Sequence, residues 1–261
     1  MQASTVGSVA CDRARLTAVN TEGVLGRYLR GLSAQWLKVA PEANPGMLEM
    51  FRDRDRKPAR DLVPWAGEFA GKYLTGAVQV LRLTGDPELR DYLAWFVKEL
   101  TALQASDGYL GPWPEASRLT NSVTDASGKV QLTWDTWGHY HVMLGLLLWY
   151  DDTGDQRTLA CARRMGDLLC DKYLDPQPPR LAQTGSTEMN LAPAHSLCLL
   201  YRRTGVARYL DLARQIVDEE FGVKDGAGKF LTGDYLNGSL AGLDFFELPK
   251  PRWESLHPIM A

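Results

Sequence analysis

A chain of 261 residues that is 45% hydrophobic is long enough to bury a substantial core and has the composition of an ordinary globular protein. Its formal net charge of −3 gives no electrostatic footprint for nucleic acid or an anionic membrane, and no stretch approaches the roughly 18 apolar residues of a membrane span. A small-molecule or oligosaccharide ligand is expected instead, and an amino terminus without an apolar segment behind a basic one predicts a cytoplasmic protein.

In chain order, residues 19–39 predict a first helix. Arg52-Asp53-Arg54-Asp55-Arg56-Lys57 mixes charge signs and predicts a solvated loop. A recurring unit then begins: an amphipathic run, a Thr-Gly break, and a second amphipathic run. The breaks are Leu83-Thr84-Gly85-Asp86-Pro87, Asp152-Thr153-Gly154-Asp155 and Arg203-Thr204-Gly205. Gly provides the left-handed residue that ends one helix, Asp86 or Asp155 can cap the next, and Pro87 suits its first position. Leu89, Tyr92, Leu93, Phe96, Val97, Leu100 and Leu103 recur at intervals of three and four, a helical rather than a strand period.

Each second helix gives way to a Gly- or Pro-rich loop, at 107–112, 175–179 and 222–228. Helical hairpins joined by long loops, in a unit of about 50 to 70 residues, predict an all-α fold of the (α/α) barrel or toroid type, with loops gathered around a shared pocket. Residues 252–261 begin one more helix and stop at Ala261 on an apolar stretch. The expectation is a single α/α-toroid domain over 1–261, of about eight helices and incomplete at its carboxyl end, with uncovered helix faces that favour an oligomer.

Polar and aromatic residues crowd four places. Trp134-Asp135-Thr136-Trp137-Gly138-His139-Tyr140-His141 precedes an apolar helix over 142–150, and this mixture suits a sugar: apolar ring faces stack on aromatics, while hydroxyls need partners that both donate and accept, as neutral imidazole does. His139 and His141 diverge by about 200° on one helix, so they cannot share a metal. Glu68 and Lys72 lie one turn apart beside Gly67, Ala70 and Gly71. Glu188 opens the third hairpin, with His195 in its first turns. Glu254 and His257 lie beside Trp253. The candidate substrate-binding set is therefore Glu68, Trp134, Asp135, His139, His141, Glu188, Glu254 and His257, with one of the two helical His facing the pocket.

Cys11, Cys161, Cys170 and Cys198 form no CxxC pair and have no nearby His at ligand spacing, so they are expected to be reduced thiols, those at 161, 170 and 198 facing away from the pocket. No metal site is expected in this segment. Phosphate loops, GxSxG elbows and HExxH helices are all missing from the sequence.

Residues 65–75, beginning Trp65-Ala66-Gly67-Glu68, together with Leu103-Gln104-Ala105-Ser106-Asp107-Gly108-Tyr109-Leu110-Gly111, Trp137-Gly138-His139-Tyr140-His141 and Trp253-Glu254-Ser255-Leu256-His257, resemble glycoside hydrolase family 127 in order and spacing, over residues 46–261. The resemblance implies an (α/α) barrel catalytic domain acting on L-arabinofuranosides with retention, and β-sandwich modules after it. It also implies a zinc-bound Cys nucleophile and a Glu acid/base after the region matched by His257. The catalytic residues are accordingly expected beyond Ala261, so that zinc belongs to a longer parent and the isolated chain is inactive. His141 and His257 resemble sugar-contacting residues of that family, and Glu68 falls where it often has an acidic residue or His. Two alternatives remain open at this point: an α/α-barrel sugar epimerase, isomerase or uronyl hydrolase, and a non-catalytic helical-repeat module that grips a glycan or peptide.

Overall fold

Each Thr-Gly break turns the chain back on itself by the same local device. In a computed structural model, which describes residues 22–125, 127–174, 180–184, 188–231, 234–244, 246–247, 257 and 260–261, Gly85, Gly154 and Gly205 have φ of 62°, 69° and 69°. The preceding threonine braces the turn. The hydroxyls of Thr84, Thr153 and Thr204 donate 2.8 Å bonds to the carbonyls of Val80, Trp149 and Leu200, and each accepts a longer bond from the backbone two residues on. Asp86 then caps the next helix by accepting from Glu88 N and Leu89 N, and Asp155 by accepting from Arg157 N. Val206 provides no such cap in the third hairpin.

The hairpins are α4 (Glu68–Thr84) with α5 (Pro87–Ala102), α6 (Asp135–Thr153) with α7 (Gln156–Tyr173), and α8 (Pro193–Thr204) with α9 (Ala207–Asp218). Before them come α1 (Gly23–Leu32), running into a π-helical turn at Ser33–Leu37, and the short α2 (Ala40–Ala43) and α3 (Gly46–Arg52); α10 (Asp234–Leu240) follows. Helix α6 packs on α4 at one side and α8 at the other, while α7 packs against α5 and α9. Two layers result, inner α4–α6–α8 and outer α5–α7–α9, the arrangement of an α/α barrel wall. At the far end of the inner layer, Asp151 and Asp152 would burden the carboxyl end of α6, and Arg203 from α8 and Arg82 from α4 pair with them. Among the described residues no helix is long and apolar enough to cross a membrane.

The structure departs from the sequence reading in four places. Helix α6 starts at Asp135, so the Trp134–His141 cluster forms its first two turns rather than a loop before it. The loop after α5 folds into an antiparallel hairpin of β1 (Ser122–Thr124) and β2 (Val130–Leu132), turned by Gly128 and by Asp125, whose carboxylate accepts from the backbone of Ser127 and Lys129. The first predicted helix is described from Gly23 and changes to π geometry at Ser33, while α2 and α3 are too short to show a helical period. Most of the helix expected over 252–261 lies outside the described residues; of those described, His257 is helical, whereas Met260 and Ala261 are exposed and stand in no helix.

The tightest approach in the inner layer is between backbones. A Cβ added at Gly71 of α4 would stand 2.2 Å from the carbonyl carbon of His141 and 2.3 Å from Val142 N in α6, and one added at Gly145 would stand 3.1 Å from Gly71 O. Gly76, one turn along the same helix, is exposed and has nothing within 4 Å. Opposite outcomes follow for the same substitution. Gly76→Ala removes only a helix-propensity penalty and should raise the free energy of unfolding by about 0.5–1 kcal/mol. Gly71→Ala must push α4 and α6 apart and should cost about 1–3 kcal/mol despite the same propensity gain. Urea titration of the two variants checks both signs.

Candidate functional site

The amino-terminal ends of α4, α6 and α8 lie side by side, and the first turn of α6 is held from outside its own helix. Thr136 N donates to Asn121 Oδ1 at 3.1 Å and Trp137 N to Asn190 Oδ1 at 3.2 Å, while Asn190 Nδ2 returns a 3.0 Å bond to Thr133 O. Asn121 adopts a left-handed φ of 55° to reach this position, a conformation asparagine tolerates better than most residues. Two side chains from separate loops thus satisfy donors that a helix start leaves free.

The two faces of α6 do different work. On one, Asp135 and His139 stand a turn apart and are 1% and 0% exposed. Asp135 accepts from Tyr109 OH at 2.9 Å and from Leu119 N at 2.7 Å, and His139 Nε2 accepts from Leu110 N at 3.3 Å. Tyr109 is flanked in turn by the guanidinium of Arg118, 5.1 Å from its ring centroid. Asp135 and His139 therefore fasten the 103–119 loop to the helix instead of facing a pocket, because the helix begins at Asp135 and turns this pair away from His141.

The opposite face carries Trp137, Tyr140 and His141. Trp137 Nε1 donates to the carboxylate of Glu68, and Glu68 also pairs with Lys72 at 2.9 Å. Lys72 Nζ lies 5.3 Å from the centre of the Trp137 ring. His141 packs edge-on against Trp137, with centroids 4.3 Å apart, and His257 does the same at 5.0 Å; the two imidazoles are 5.8 Å apart. Tyr140 OH bonds to Nδ1 of His195 at 3.1 Å and to Nδ1 of His257 at 2.7 Å. His141 Nε2 is buried with no hydrogen-bond partner among the described residues. Three of the four histidines in the chain meet here.

Of the predicted set, the structure brings together Glu68, His141 and His257. Trp134 stands at the margin, stacked 5.5 Å from the half-exposed ring of Trp65 and packed beside Trp137 and Tyr140. Glu188 begins a single 3-10 turn whose next residue, Met189, packs on the same two rings. Glu254 lies outside the described residues. Lys72, Trp137, Tyr140 and His195 join the cluster although the sequence reading leaves them outside the predicted set. For His195 a signal was available: like His141 it falls in the opening turns of an inner helix, and histidine is scarce in this chain.

Burial, then Lys72 and then His257 lower the His141 pKa from 6.5 to about 2. Burial, then His195 and Lys72 lower that of His257 to about 4, and burial followed by Arg203 lowers that of His195. All three imidazoles are thus neutral at neutral pH, each with one donor and one acceptor nitrogen. Neutral imidazoles, a phenol and aromatic surfaces around one ion-paired carboxylate suit an uncharged polyhydroxylated ligand. The thiols take no part. Cys161 and Cys170 are buried on α7, where burial pushes each up to about 12, and Cys198 is partly buried on α8. Cys11 lies outside the described residues. Among those described, no three His, Cys, Asp or Glu side chains converge to hold a metal.

Comparison with known proteins gives these observations a context. The sequence model of the family described as "Beta-L-arabinofuranosidase, GH127 catalytic domain" matches residues 25–242. A curated relative, the non-reducing end beta-L-arabinofuranosidase of Bifidobacterium longum subsp. longum, is 30% identical over 156 residues, covering 56% of this chain and 22% of that protein. The crystal structure of a GH127 beta-L-arabinofuranosidase from Geobacillus stearothermophilus T6 superposes with a TM-score of 0.59 at 18% identity, over 91% of this chain and 36% of the other. A second GH127 beta-arabinofuranosidase gives 0.58 at 19% identity, over 80% and 35%. The chain thus spans about a fifth of the length of its curated relative.

The depressed imidazoles make stability depend on pH in a definite direction. An unfolded histidine titrates near 6.5, whereas these remain neutral in the fold, so below pH 6.5 the unfolded state takes up more protons and stability falls as pH drops. For His257 the loss ends near its folded pKa of about 4; for His141 it continues below that. Glu220, a buried carboxyl pushed upward by desolvation, acts with the opposite sign, so the difference between variants is the cleaner quantity. His141→Gln should flatten the unfolding free energy between pH 6.5 and 4 by about 1.4 kcal/mol per pH unit relative to the unaltered protein. Denaturant melts across that range check the slope.

Proposed function

The chain belongs to the GH127 beta-L-arabinofuranosidase catalytic-domain family, and from that premise we propose that it binds the sugar ring of an L-arabinofuranoside for a glycoside hydrolase. The observation that carries this reading is the convergence of Glu68, Tyr140, His141, His195 and His257 around Trp137 at the ends of three inner helices. A furanose offers hydroxyls that donate and accept and a small apolar face. Neutral imidazoles meet the first, and aromatic edges meet the second.

Hydrolysis with retention needs a nucleophile and an acid/base on either side of the scissile bond. Among the described residues the cluster holds a single carboxylate, that of Glu68, and it is occupied by Lys72 and Trp137. We place the reacting groups beyond Ala261, in a longer parent polypeptide. Zinc, expected there, finds no converging donor set among the described residues here. What these side chains supply is position: the bound ring is fixed by hydrogen bonds, with the Trp65–Trp134 pair at the margin. An epimerase or isomerase would need an acid–base pair poised near neutrality. The imidazoles here are held well below it.

Calorimetric titration of the chain with methyl β-L-arabinofuranoside should show binding that weakens at least about tenfold in His141→Ala and in Glu68→Gln, the loss expected when a hydrogen bond to the ligand or its positioning is removed. The α-anomer should bind more weakly. The chain alone should not release phenol from an aryl β-L-arabinofuranoside. No binding by the unaltered chain, or binding by both variants as tight as that of the unaltered chain, would overturn the assignment; turnover by the chain would overturn the division of labour.

A further inference from the structure

We infer that Tyr140 is a positioning residue that holds His195 and His257 in opposite neutral tautomers. Its hydroxyl meets Nδ1 of both rings, at 3.1 Å and 2.7 Å, and its side chain is 0% exposed. A phenol has one proton to give. If both imidazoles carried a lone pair at Nδ1, one contact would set two acceptors against a single proton. If both carried N–H there, the phenolic proton would be left buried without an acceptor, at a cost of roughly 1–3 kcal/mol. Only unlike tautomers complete both bonds.

The distances assign the direction. A separation of 2.7 Å suits a hydroxyl donating, and 3.1 Å suits a ring N–H donating. Tyr140 therefore donates to His257 Nδ1, which places the His257 proton on Nε2. His195 donates from Nδ1 to the Tyr140 oxygen and keeps a lone pair on Nε2. Burial of both rings, which lowers their basicity, keeps them neutral for this arrangement to hold. A hydroxyl that meets His195 Nε2 must then act as the donor. This last consequence rests on the sugar-binding reading above; the tautomer assignment does not.

Long-range proton–nitrogen correlation spectra of the chain labelled at histidine, recorded near neutral pH, report each tautomer directly. Nδ1–H is expected for His195 and Nε2–H for His257. In Tyr140→Phe, which leaves the ring in place and removes the hydroxyl, His195 should shift to the Nε2–H form that imidazole prefers in water, and sugar affinity should fall about tenfold. Like tautomers in the unaltered chain, or a His195 unchanged by the substitution, would overturn the inference. The unaltered spectrum decides even if Tyr140→Phe does not fold. Unlike tautomers in a chain that binds no sugar would uphold this inference and sink the proposed function; like tautomers in a chain that binds it would do the reverse.

Discussion

The arrangement depends on one contact, the crossing of α4 over α6 with Gly71 laid against the peptide between His141 and Val142. A side chain at that position would collide with backbone, which no rotamer change can relieve. Because the helices touch here, the residues one turn back on each are brought to hydrogen-bonding range. Glu68 on α4 reaches Trp137 on α6, and Lys72 lies over the same ring. The site is thus a consequence of helix register. A crossing wider by the size of a methyl group would part the carboxylate from the indole while leaving both helices intact.

The second organising fact is that α6 is buried on every side, between two inner neighbours and beneath the outer layer. Polar groups on such a helix must find partners or cost stability. The face toward the 103–119 loop meets most of this demand with Asp135, His139 and Tyr109, which close bonds on backbone groups, although His139 Nδ1 has no hydrogen-bond partner among the described residues. The face toward α4 and α8 meets it only in part: His141 Nε2 has no partner among the described residues. Each face thus keeps one buried imidazole nitrogen without a partner among the described residues, but only His141 Nε2 belongs to the cluster that Trp137 and His257 complete.

Much of the scaffold was legible because its signals are local. The threonine brace, the left-handed glycine and the aspartate cap all act within six residues, so two hairpins can be read from Thr-Gly-Asp and the third from Thr-Gly alone. The start of α6 cannot, since its capping groups come from Asn121 and Asn190, 15 and 53 residues from the amides they accept. For the same reason the Trp134–His141 cluster looked like a loop. Composition showed that the cluster was special, and the 200° argument showed that His139 and His141 part company, but only the helix start decides which of them meets α4. Tyr140 and His195 escaped because a phenol in an aromatic run and a lone histidine in a helix turn look like core until the third ring, His257, is in place. The β1–β2 hairpin rests on Asp125 and Gly128 in a turn whose flanking strands are three residues each, too short to show a period of two.

On the proposed reading, helix register builds a sugar site at the amino-terminal ends of α4, α6 and α8. The most direct test is a crystal structure of the chain soaked with methyl β-L-arabinofuranoside. The prediction is a furanose ring among Trp137, His141, His195 and His257, with at least one ring hydroxyl within hydrogen-bonding distance of His141 Nε2. Sugar bound elsewhere, with the imidazole cluster closed on itself and His141 Nε2 still unsatisfied, would contradict it.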